Sequence, residues 1–582
     1  MDLISKEELE QFIKIKHPGK KKLVDFIFKK LKIDELNSVY DKHKSKESVQ
    51  FVQDVLSELQ ISFSIKDEDI KRIPSKGGFI LLSNHPFGAL DGLIICKIIS
   101  EKRPDFKLMA NFLLQRIEPI KDQIFPVNPF ENMKDKKSSV NGVKSALSYV
   151  QDGHPLAIFP AGEVASFNWS KLSILEKEWD QTVKFILKCN VPVVPVFISG
   201  SNSPLFHMLG MIHPMLRTAK LPSELFNKTN EDVRLRIGHP IEISDLVKLG
   251  SNTAISSYLQ LKSKTLSNSF PVDAFFKRPL IGIKKKVKDI DGPQNPADLL
   301  VELNQLPIEC KLFISGSFEL FVVKADQVPK LMLELGRLRE LTFRAIGEGT
   351  NKELDLDPFD VYYHHLIIWD SKLNLLVGAY RMGKGDEIID QFGLKGFYVN
   401  TLFKLDKKDA RILSQSIELG RTFIRKEYQK KPTTLFVLWK GILLFMEKNP
   451  SYRYLIGPVS ISNSFSSLSK GLLVSFSDLY LKGDGGELYG KPRNKFKITN
   501  KNRLKINNLL PAIGNDFDKL DKLIQEIDKD QCIPVLLKKY IGMNAKLIAF
   551  NVDPLFNNCL DGFIYLDLGK LPSKFKSALS KD

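Results

Sequence analysis

A histidine and an aspartate, His85 and Asp91, stand close together in a stretch that also contains Pro86 and Gly88. Such a pair can activate a hydroxyl group: the imidazole takes the proton as a general base, and the carboxylate fixes the ring's tautomer and stabilises the imidazolium. The stretch directly follows the apolar run 78–82, which predicts a buried strand. We therefore expect an oxygen nucleophile to be activated at a strand end.

A second stretch follows the apolar run 156–158 and contains Phe159, Pro160, Gly162 and Glu163. Proline and glycine predict a turn at the end of another strand, and open α/β sheets bind ligands at such strand ends. The carboxylate of Glu163 can meet an amine of a substrate. Alternatively, it can be an acid at a helix start that satisfies backbone N–H groups.

Together, the Asn-His…Asp and Phe-Pro-x-Gly blocks resemble the signature of the lysophospholipid acyltransferase family. The resemblance covers roughly residues 60–250 and includes the runs 191–196 and 236–241. It implies that His85 is the general base and Asp91 its partner. It also places Gly162 in the acceptor-binding turn. We assign substrate binding to Asn84, Phe159, Pro160, Gly162 and Glu163.

The sequence departs from that family in two places. Five residues separate His85 from Asp91, where the usual phospholipid enzymes have four. No arginine follows Gly162, although the common form ends Gly-Thr-Arg-Ser and its guanidinium suits a phosphate-bearing acceptor. The second departure favours an acceptor without phosphate.

The second half of the chain carries a different series of charged motifs. It begins with an arginine-rich predicted helix at 329–344, followed by an Asp-Pro-Phe-Asp turn at 357–360. A His-His-Leu strand, a Val-Gly-x-Tyr-Arg strand and a Glu-Leu-Gly-Arg strand come next. The series resembles the GNAT-like N-acyltransferases of the ornithine-lipid and hemolysin-related type, and more distantly the acyl-homoserine-lactone synthases, over roughly residues 325–470.

This resemblance implies N-acylation, which needs a neutral amine nucleophile and a group that takes its proton. Carboxylates can bind an ammonium group, and arginines can hold the carboxylate of an amino-acid acceptor. We therefore assign Glu418 and Arg421 to catalysis and Asp357, Asp360 and Arg381 to acceptor binding. Alternatively, Glu418 and Arg421 form a structural ion pair that closes the sheet.

We predict the acyl donor from the arginines of the predicted helix 329–344 and from the run 381–385. Arg337, Arg339 or Arg344 can meet the phosphate of a phosphopantetheine arm. The Gly-rich phosphate loop of the usual acetyl-CoA enzymes is only approximated, at 381–385. We therefore expect acyl-ACP, or else acyl-CoA, as cosubstrate, with no bound cofactor and no metal ion.

Composition limits the partners and the compartment. A net charge of +18 indicates an anionic partner, such as nucleic acid, an anionic membrane face or an acidic carrier protein. Because we find no helix-turn-helix, RNP-like or finger motif, we expect no nucleic acid. The five cysteines lie far apart without a Cys-x-x-Cys pair, which suits a reducing cytosol.

The chain is predicted to touch a membrane from one side only. Its acidic start lacks an apolar signal core, and no apolar run approaches the length of a membrane span. Lysines flank an apolar helical stripe within 20–32, which suits a helix in an anionic membrane interface or a surface helix with a solvated lysine face. We expect a cytoplasmic protein that is peripheral on the inner face of the cytoplasmic membrane.

A length of 582 residues requires at least two domains. We predict a helical segment at 1–60, an α/β glycerolipid-acyltransferase-like domain at 61–265, a basic linker at 266–300 and a GNAT-like α+β domain at 301–582. The basic run 284–288 in the linker is either a second anionic-lipid contact or simply solvated.

The combination of two acyltransferase halves resembles bifunctional aminolipid synthases. In these, the C-terminal half attaches a 3-hydroxyacyl group to the amine of ornithine or glycine, and the N-terminal half esterifies its 3-hydroxyl. Tethering the sites raises the effective concentration of the intermediate. One alternative is a 1-acylglycerol-3-phosphate O-acyltransferase with an accessory domain. The non-enzyme alternative is a basic membrane- or nucleic-acid-binding protein on a retired scaffold.

Overall fold

The computed structural model describes most of the chain, as two compact units. The first unit comprises Met1–Asp273 and Asn507–Lys529, and the second comprises Ala274–Ile506 and Asp530–Asp582. Much of the lysine-flanked stripe and residues 270–287 of the proposed linker lie outside the described residues. The described residues are 28–29, 31–127, 136–168, 173–203, 206–207, 214–229, 231–269, 288–429, 431–482, 488–529, 531–573 and 575.

A seven-stranded sheet forms the centre of the first unit, in the order β1-β9-β8-β2-β5-β3-β4. Its neighbouring strands run parallel except for the antiparallel pair β8 and β9. A small antiparallel hairpin, β6 and β7, stands apart from it. The strands are β1 (Ser62–Ser64), β2 (Phe79–Ser83), β3 (Lys107–Asn111), β4 (Ile124–Val127), β5 (Pro155–Ile158), β6 (Ser166–Asn168), β7 (Ser173–Leu175), β8 (Val193–Ile198) and β9 (Asp232–Ile237).

Three adjacent strands, β2, β5 and β8, are almost entirely buried, as their short apolar runs predict for the middle of a parallel sheet. Helices alternate with the strands along the chain. They are α1 (Ile33–His43), α2 (Ser48–Glu58), α3 (Asp67–Lys71), α4 (Ala89–Ser100), α5 (Lys136–Gln151), α6 (Asp180–Cys189), α7 (Pro214–Phe226), α8 (Ile243–Val247) and α9 (Asn252–Thr265).

An eight-stranded sheet forms the centre of the second unit, in the order β10-β11-β12-β13-β15-β16-β19-β18. Its neighbouring strands are antiparallel except for the parallel pair β15 and β16. The short strands β14 and β17 pair separately. The strands are β10 (Lys311–Ser315), β11 (Phe318–Lys324), β12 (His364–Asp370), β13 (Leu375–Lys384), β14 (Phe403–Leu405), β15 (Ser416–Ile424), β16 (Tyr454–Ile461), β17 (Gly490–Pro492), β18 (Lys546–Asp553) and β19 (Cys559–Asp567).

The parallel strands β15 and β16 pair over their first three residues and then separate. Residues 416–418 of β15 pair with 454–456 of β16, yet β15 continues to Ile424 and β16 to Ile461. The two strands therefore diverge beyond Glu418, and the predicted site residues Glu418 and Arg421 lie at and just after this divergence.

Two helices cover opposite faces of this sheet. In the helix Pro329–Ala345, Leu335 and Leu338 join a core with Ile367. In the helix Pro432–Lys448, Gly441 approaches the side chain of Leu366. Successive strand residues point to opposite faces, so the helices lie on opposite sides. The helices of the C-terminal half are α10 (Pro296–Asn304), α11 (Pro329–Ala345), α12 (Gly385–Phe392), α13 (Val399–Leu402), α14 (Ala410–Ser414), α15 (Pro432–Lys448), α16 (Ser467–Tyr480), α17 (Asn500–Ile513), α18 (Phe517–Ile527) and α19 (Val535–Gly542).

Helix α18 belongs to the first unit although it lies far along the chain. The fully buried carboxylate of Glu526 accepts the N–H of His239 at 2.6 Å and also contacts the ammonium of Lys262. Lys519 of the same helix binds Asp245 at 2.5 Å. Residues 507–529 are therefore joined to the rest of the first unit by ion pairs and hydrogen bonds.

The predicted mixed α/β fold class is confirmed. Among the helices of the described residues, none combines the length and apolar character that crossing a bilayer demands.

Candidate active sites

The first candidate site lies at the carboxyl ends of adjacent parallel strands. His85 follows β2 and Phe159 follows β5, and their rings stack with centroids 4.1 Å apart. This is the edge at which open α/β sheets bind ligands. The two sequence blocks are thus brought together by the pairing of β2 with β5.

The imidazole of His85 is held by a fixed carboxylate. Its Nδ1 lies 2.8 Å from Oδ2 of the fully buried Asp91, and the same oxygen accepts the N–H groups of Phe87 and Gly88, each at 2.9 Å. Asp91 stands in the first turn of α4, and Gly88 supplies the positive φ of 102° that the preceding turn requires. With Nδ1 donating to Asp91, the Nε2 lone pair of His85 is the one available to take a proton.

Asn84 has a structural use in this arrangement. Its amide accepts the N–H of Ile198 at 2.7 Å and donates to the same residue's carbonyl at 2.8 Å. Both polar groups of the side chain are therefore engaged in joining the ends of β2 and β8. A contact of Asn84 with substrate stays a prediction.

The Phe-Pro-Ala-Gly block forms the predicted turn. The N–H of Gly162 donates to the carbonyl of Phe159 at 3.0 Å, and Gly162 adopts a φ of 68°. Glu163 lies 3.2 Å from Lys177. The residues that follow form β6, so Glu163 does not stand at a helix start, and its role toward an acceptor amine stays a prediction.

Sequence reasoning missed Glu176. Its Oε1 accepts the backbone N–H of His85 at 2.5 Å, and its Oε2 is buried without a hydrogen-bond partner among the described residues. Burial raises the pKa of this carboxyl. No sequence signal connects two residues 91 positions apart.

The second candidate site is a buried cluster of arginines and acids. Asp360 binds Arg339 at 2.7 Å and lies 3.3 Å from Arg381. Asp357 accepts from Arg381 at 2.6 Å and from Arg421 at 3.3 Å. The structure thus brings together the predicted acceptor-binding residues Asp357, Asp360 and Arg381, together with Arg339.

A further acid, Asp355, was not predicted. It is buried, and its carboxylate lies 3.2 Å from Nε of Arg421. The guanidinium of Arg421 therefore bridges Asp355 and Asp357, and it also lies 4.5 Å above the ring of Phe556. Asp357 therefore accepts hydrogen bonds from both Arg381 and Arg421.

Glu418 is fully enclosed by donors. Its carboxylate accepts the hydroxyl of Tyr363, the N–H of Tyr398 at 3.0 Å and the N–H of Val399 at 2.6 Å. Burial raises the pKa of Glu418 to about 7. The sequence did not predict Tyr363 and Tyr398 as partners of Glu418, because strand alternation does not show which distant segment lies against a strand.

Glu418 and Arg421 do not pair with each other in the part of the chain that the structure describes. Instead, both bind Tyr398: Glu418 accepts its N–H, and Arg421 donates to its hydroxyl at 3.2 Å. The alternative of a direct structural ion pair is therefore not the arrangement observed. The two residues belong to one network through Tyr398.

The three arginines predicted to meet phosphopantetheine all have carboxylate partners within the unit. Arg337 binds Glu334 through two nitrogens, at 2.6 and 2.8 Å. Arg344 donates two hydrogen bonds to the carboxylate of Glu340. Arg339 is completely buried against Asp360. Contact of any of them with a donor phosphate stays a prediction.

No group of three histidine, cysteine or acidic side chains converges on a possible metal position within the described residues. The first site holds a base for a hydroxyl nucleophile. The second holds arginines for a carboxylate and a carboxyl group that titrates near neutral pH.

Two segments of the chain match known family models. Residues 20–274 match the family model described as Acyltransferase, and residues 338–440 match the model described as Acetyltransferase (GNAT) domain. The Asn-His…Asp block lies within the first match. Glu418 and Arg421 lie within the second.

Curated relatives of two kinds are similar to parts of this chain. A glycine N(alpha)-acyltransferase of Phocaeicola vulgatus is 28% identical over 244 residues, covering 40% of this chain and 74% of the relative. The corresponding protein of Bacteroides thetaiotaomicron is 26% identical over 243 residues, covering 40% and 71%. A lyso-glycine lipid O-acyltransferase of Bacteroides thetaiotaomicron is 25% identical over 249 residues, covering 40% and 88%.

These matches confirm the predicted combination of domains and the predicted enzyme class. They also remove the non-enzyme alternative. The chain is an acyltransferase that joins an acyltransferase-family domain to a C-terminal GNAT domain.

Proposed function

We propose that this protein makes a diacylated aminolipid in two steps. The second unit transfers a 3-hydroxyacyl group from a thioester to the amine of an amino acid, and the first unit then acylates the 3-hydroxyl. The observation that carries the proposal is the similarity of one chain both to glycine N(alpha)-acyltransferases and to lyso-glycine lipid O-acyltransferases.

The geometry around His85 supports the O-acylation step. Nε2 of His85 takes the proton of the 3-hydroxyl while its oxygen attacks the thioester carbonyl, and Asp91 stabilises the imidazolium. The tetrahedral oxyanion collapses, the C–S bond breaks, and the leaving thiolate takes the proton back from His85. The products are the ester and the free thiol of the donor.

The acceptor lacks phosphate in this proposal. The common form Gly-Thr-Arg-Ser has its arginine two residues after the glycine, where this chain has Val164, so the guanidinium that suits a phosphate is missing. A mono-acylated amino acid has no phosphate and fits that difference.

The second site supports N-acylation of an amino acid. Arg381 and Arg421 offer guanidinium groups for the acceptor carboxylate, although each already binds Asp357. Glu418 is the group best suited to take the proton of the amine, because its pKa of about 7 lies near neutral pH. The amine attacks the thioester carbonyl and its proton passes to Glu418. The acyl–sulfur bond then breaks as the amide forms, and the leaving thiolate takes the proton from Glu418.

Glycine is the acceptor that we favour over ornithine. A diamine such as ornithine needs a carboxylate for its second amine, and Glu163, Asp357 and Asp360 all bind cations of the chain itself. The names of the relatives point the same way. The donor is an acyl-ACP or acyl-CoA. A net charge of +18 suits an acidic carrier protein and the anionic cytoplasmic face of a membrane.

A reconstitution with purified protein tests this function. It is incubated with 3-hydroxyacyl-ACP and either glycine or ornithine, and a second acyl-ACP is then added. We expect the N-acyl amino acid first and the N,O-diacyl product second. Turnover of lysophosphatidic acid to phosphatidic acid, with no acylated amino acid, would instead support the 1-acylglycerol-3-phosphate acyltransferase.

A further inference from the structure

Both main-chain polar groups of His85 are held by one hairpin. The carbonyl of His85 accepts the N–H of Ala165 at 2.9 Å, and its N–H donates to Oε1 of Glu176 at 2.5 Å. Ala165 directly precedes β6 and Glu176 directly follows β7, and these strands pair with each other. We call residues 165–168 and 173–176 the clamp hairpin, because Ala165 and Glu176 both bind the main chain of His85.

The ring of His85 is held by other groups. Asp91 binds Nδ1 at 2.8 Å, and the ring of Phe159 stacks against the imidazole. Asp91 and Phe159 restrict the direction of the ring, but neither contacts the N–H of His85. The hydrogen bonds of the His85 main chain itself therefore come from the clamp hairpin.

Glu176 is also coupled electrostatically to the catalytic pair. Its carboxyl interacts with the charges of His85, Asp91 and Lys264. Its second oxygen, Oε2, is buried and finds no hydrogen-bond donor among the described residues.

We propose that Glu176 is a positioning residue for O-acylation, which holds the main chain of His85 so that Nε2 stays aligned with the acceptor hydroxyl. The inference rests on the proposed O-acylation by the first unit. Without the carboxylate, the N–H of His85 loses its acceptor, and the turn between β2 and α4 can shift. A displacement of about 1 Å at a reacting group can cost roughly 10²-fold in rate.

The kinetic test compares Glu176→Ala and Glu176→Gln with the wild-type full chain. The amide oxygen of glutamine can still accept the N–H of His85, whereas alanine cannot. We expect Glu176→Ala to lower kcat for O-acylation roughly 10- to 100-fold, with KM for the acceptor nearly unchanged. Glu176→Gln should restore most of kcat.

The matched control is Glu178→Gln, an exposed carboxylate two positions further on, which should behave as wild type. The melting temperature of each variant separates loss of alignment from loss of folding. A wild-type kcat for Glu176→Ala contradicts the proposal, and so does a Glu176→Gln variant that folds but is as impaired as Glu176→Ala.

A measurement without substrate keeps the contact testable by itself. In protein labelled with ¹⁵N-histidine, the amide of His85 is identified by its loss in His85→Ala. We expect its proton to resonate downfield and to move upfield in Glu176→Ala, because the hydrogen bond to a carboxylate is lost. An unmoved resonance overturns the inference. If wild-type protein acylates no hydroxyl acceptor but the resonance moves, the proposed function fails and the contact stands.

Discussion

Oδ2 of Asp91 lies 2.8 Å from Nδ1 of His85 and is the same oxygen that accepts two main-chain N–H groups of the intervening turn. The carboxylate is thus fixed before any substrate binds, and the imidazole is oriented by a group that is itself immobile. This accommodates the additional residue between His85 and Asp91 without loss of the contact.

Replacing Asp91 by Asn should strongly reduce O-acylation. The amide can no longer stabilise the imidazolium, and it permits the wrong ring tautomer, so we expect kcat to fall roughly 10²- to 10⁴-fold. The assay follows conversion of the N-acyl amino acid to the diacyl product. Asp122→Asn, at an exposed position of the same unit, is the control. An Asp91→Asn enzyme with full activity would contradict the assigned role.

The pH dependence of N-acylation should reveal Glu418. The carboxyl of Glu418 has a pKa of about 7, so its basic form increases as the pH rises through neutrality. We expect kcat/KM for N-acylation to rise through about pH 7 and this inflection to disappear in Glu418→Gln. A wild-type profile in a folded Glu418→Gln protein would assign the proton acceptor elsewhere.

The buried network in the second unit should be important for stability. Asp360 binds Arg339, whose side chain is fully buried, and its pKa is held well below the usual range mainly by the charges of Arg339 and Arg381 against the opposing effect of burial. Asp360→Ala leaves Arg339 buried without its carboxylate partner, while Arg381 keeps Asp357, and removal of one partner of a buried pair costs roughly 3–5 kcal/mol. Urea unfolding measures this loss, with the exposed Asp326→Ala as control.

Helix α18 should be needed for the stability of the first unit. Burial opposes ionisation of Glu526, yet the ammonium of Lys262 and the ring of His239 hold its pKa at about 2. Since this value lies below that of an unfolded chain, the stabilisation is present above about pH 4.5 and is lost as the pH falls toward 2.

Glu526→Ala should therefore lower the free energy of unfolding by roughly 3–5 kcal/mol at neutral pH, because it leaves Lys262 buried without its partner. The difference from wild type should shrink in acid, as followed by urea unfolding between pH 7 and 3. Asp518→Ala, exposed on the same helix, is the control. Equal stability of Glu526→Ala and wild type at neutral pH would contradict this role of Glu526.

What could be predicted from the sequence depended on separation along the chain. His85 and Asp91 share one turn, so their contact followed from spacing alone. The network around Glu418 depends on Tyr363 and Tyr398, which distant segments bring back to it. No local sequence pattern shows that these segments contact Glu418.

The buried face of α11 is visible in the spacing of its residues. Leu331, Leu335 and Arg339 are spaced four residues apart on α11 and share one helix face. The burial of Arg339 could therefore have been predicted from helical periodicity. The crossing of α18 into the first unit could not, because a short amphipathic helix does not specify which core it joins.

The most direct test is mass spectrometry of total lipids from a bacterial host without aminolipids, expressing wild type, His85→Ala or Arg421→Ala. We expect a new diacylated glycine or ornithine lipid with wild type, accumulation of its mono-acyl form with His85→Ala, and neither product with Arg421→Ala. An unchanged aminolipid profile with wild type, or a normal level of diacyl lipid with His85→Ala, would contradict the two-step account.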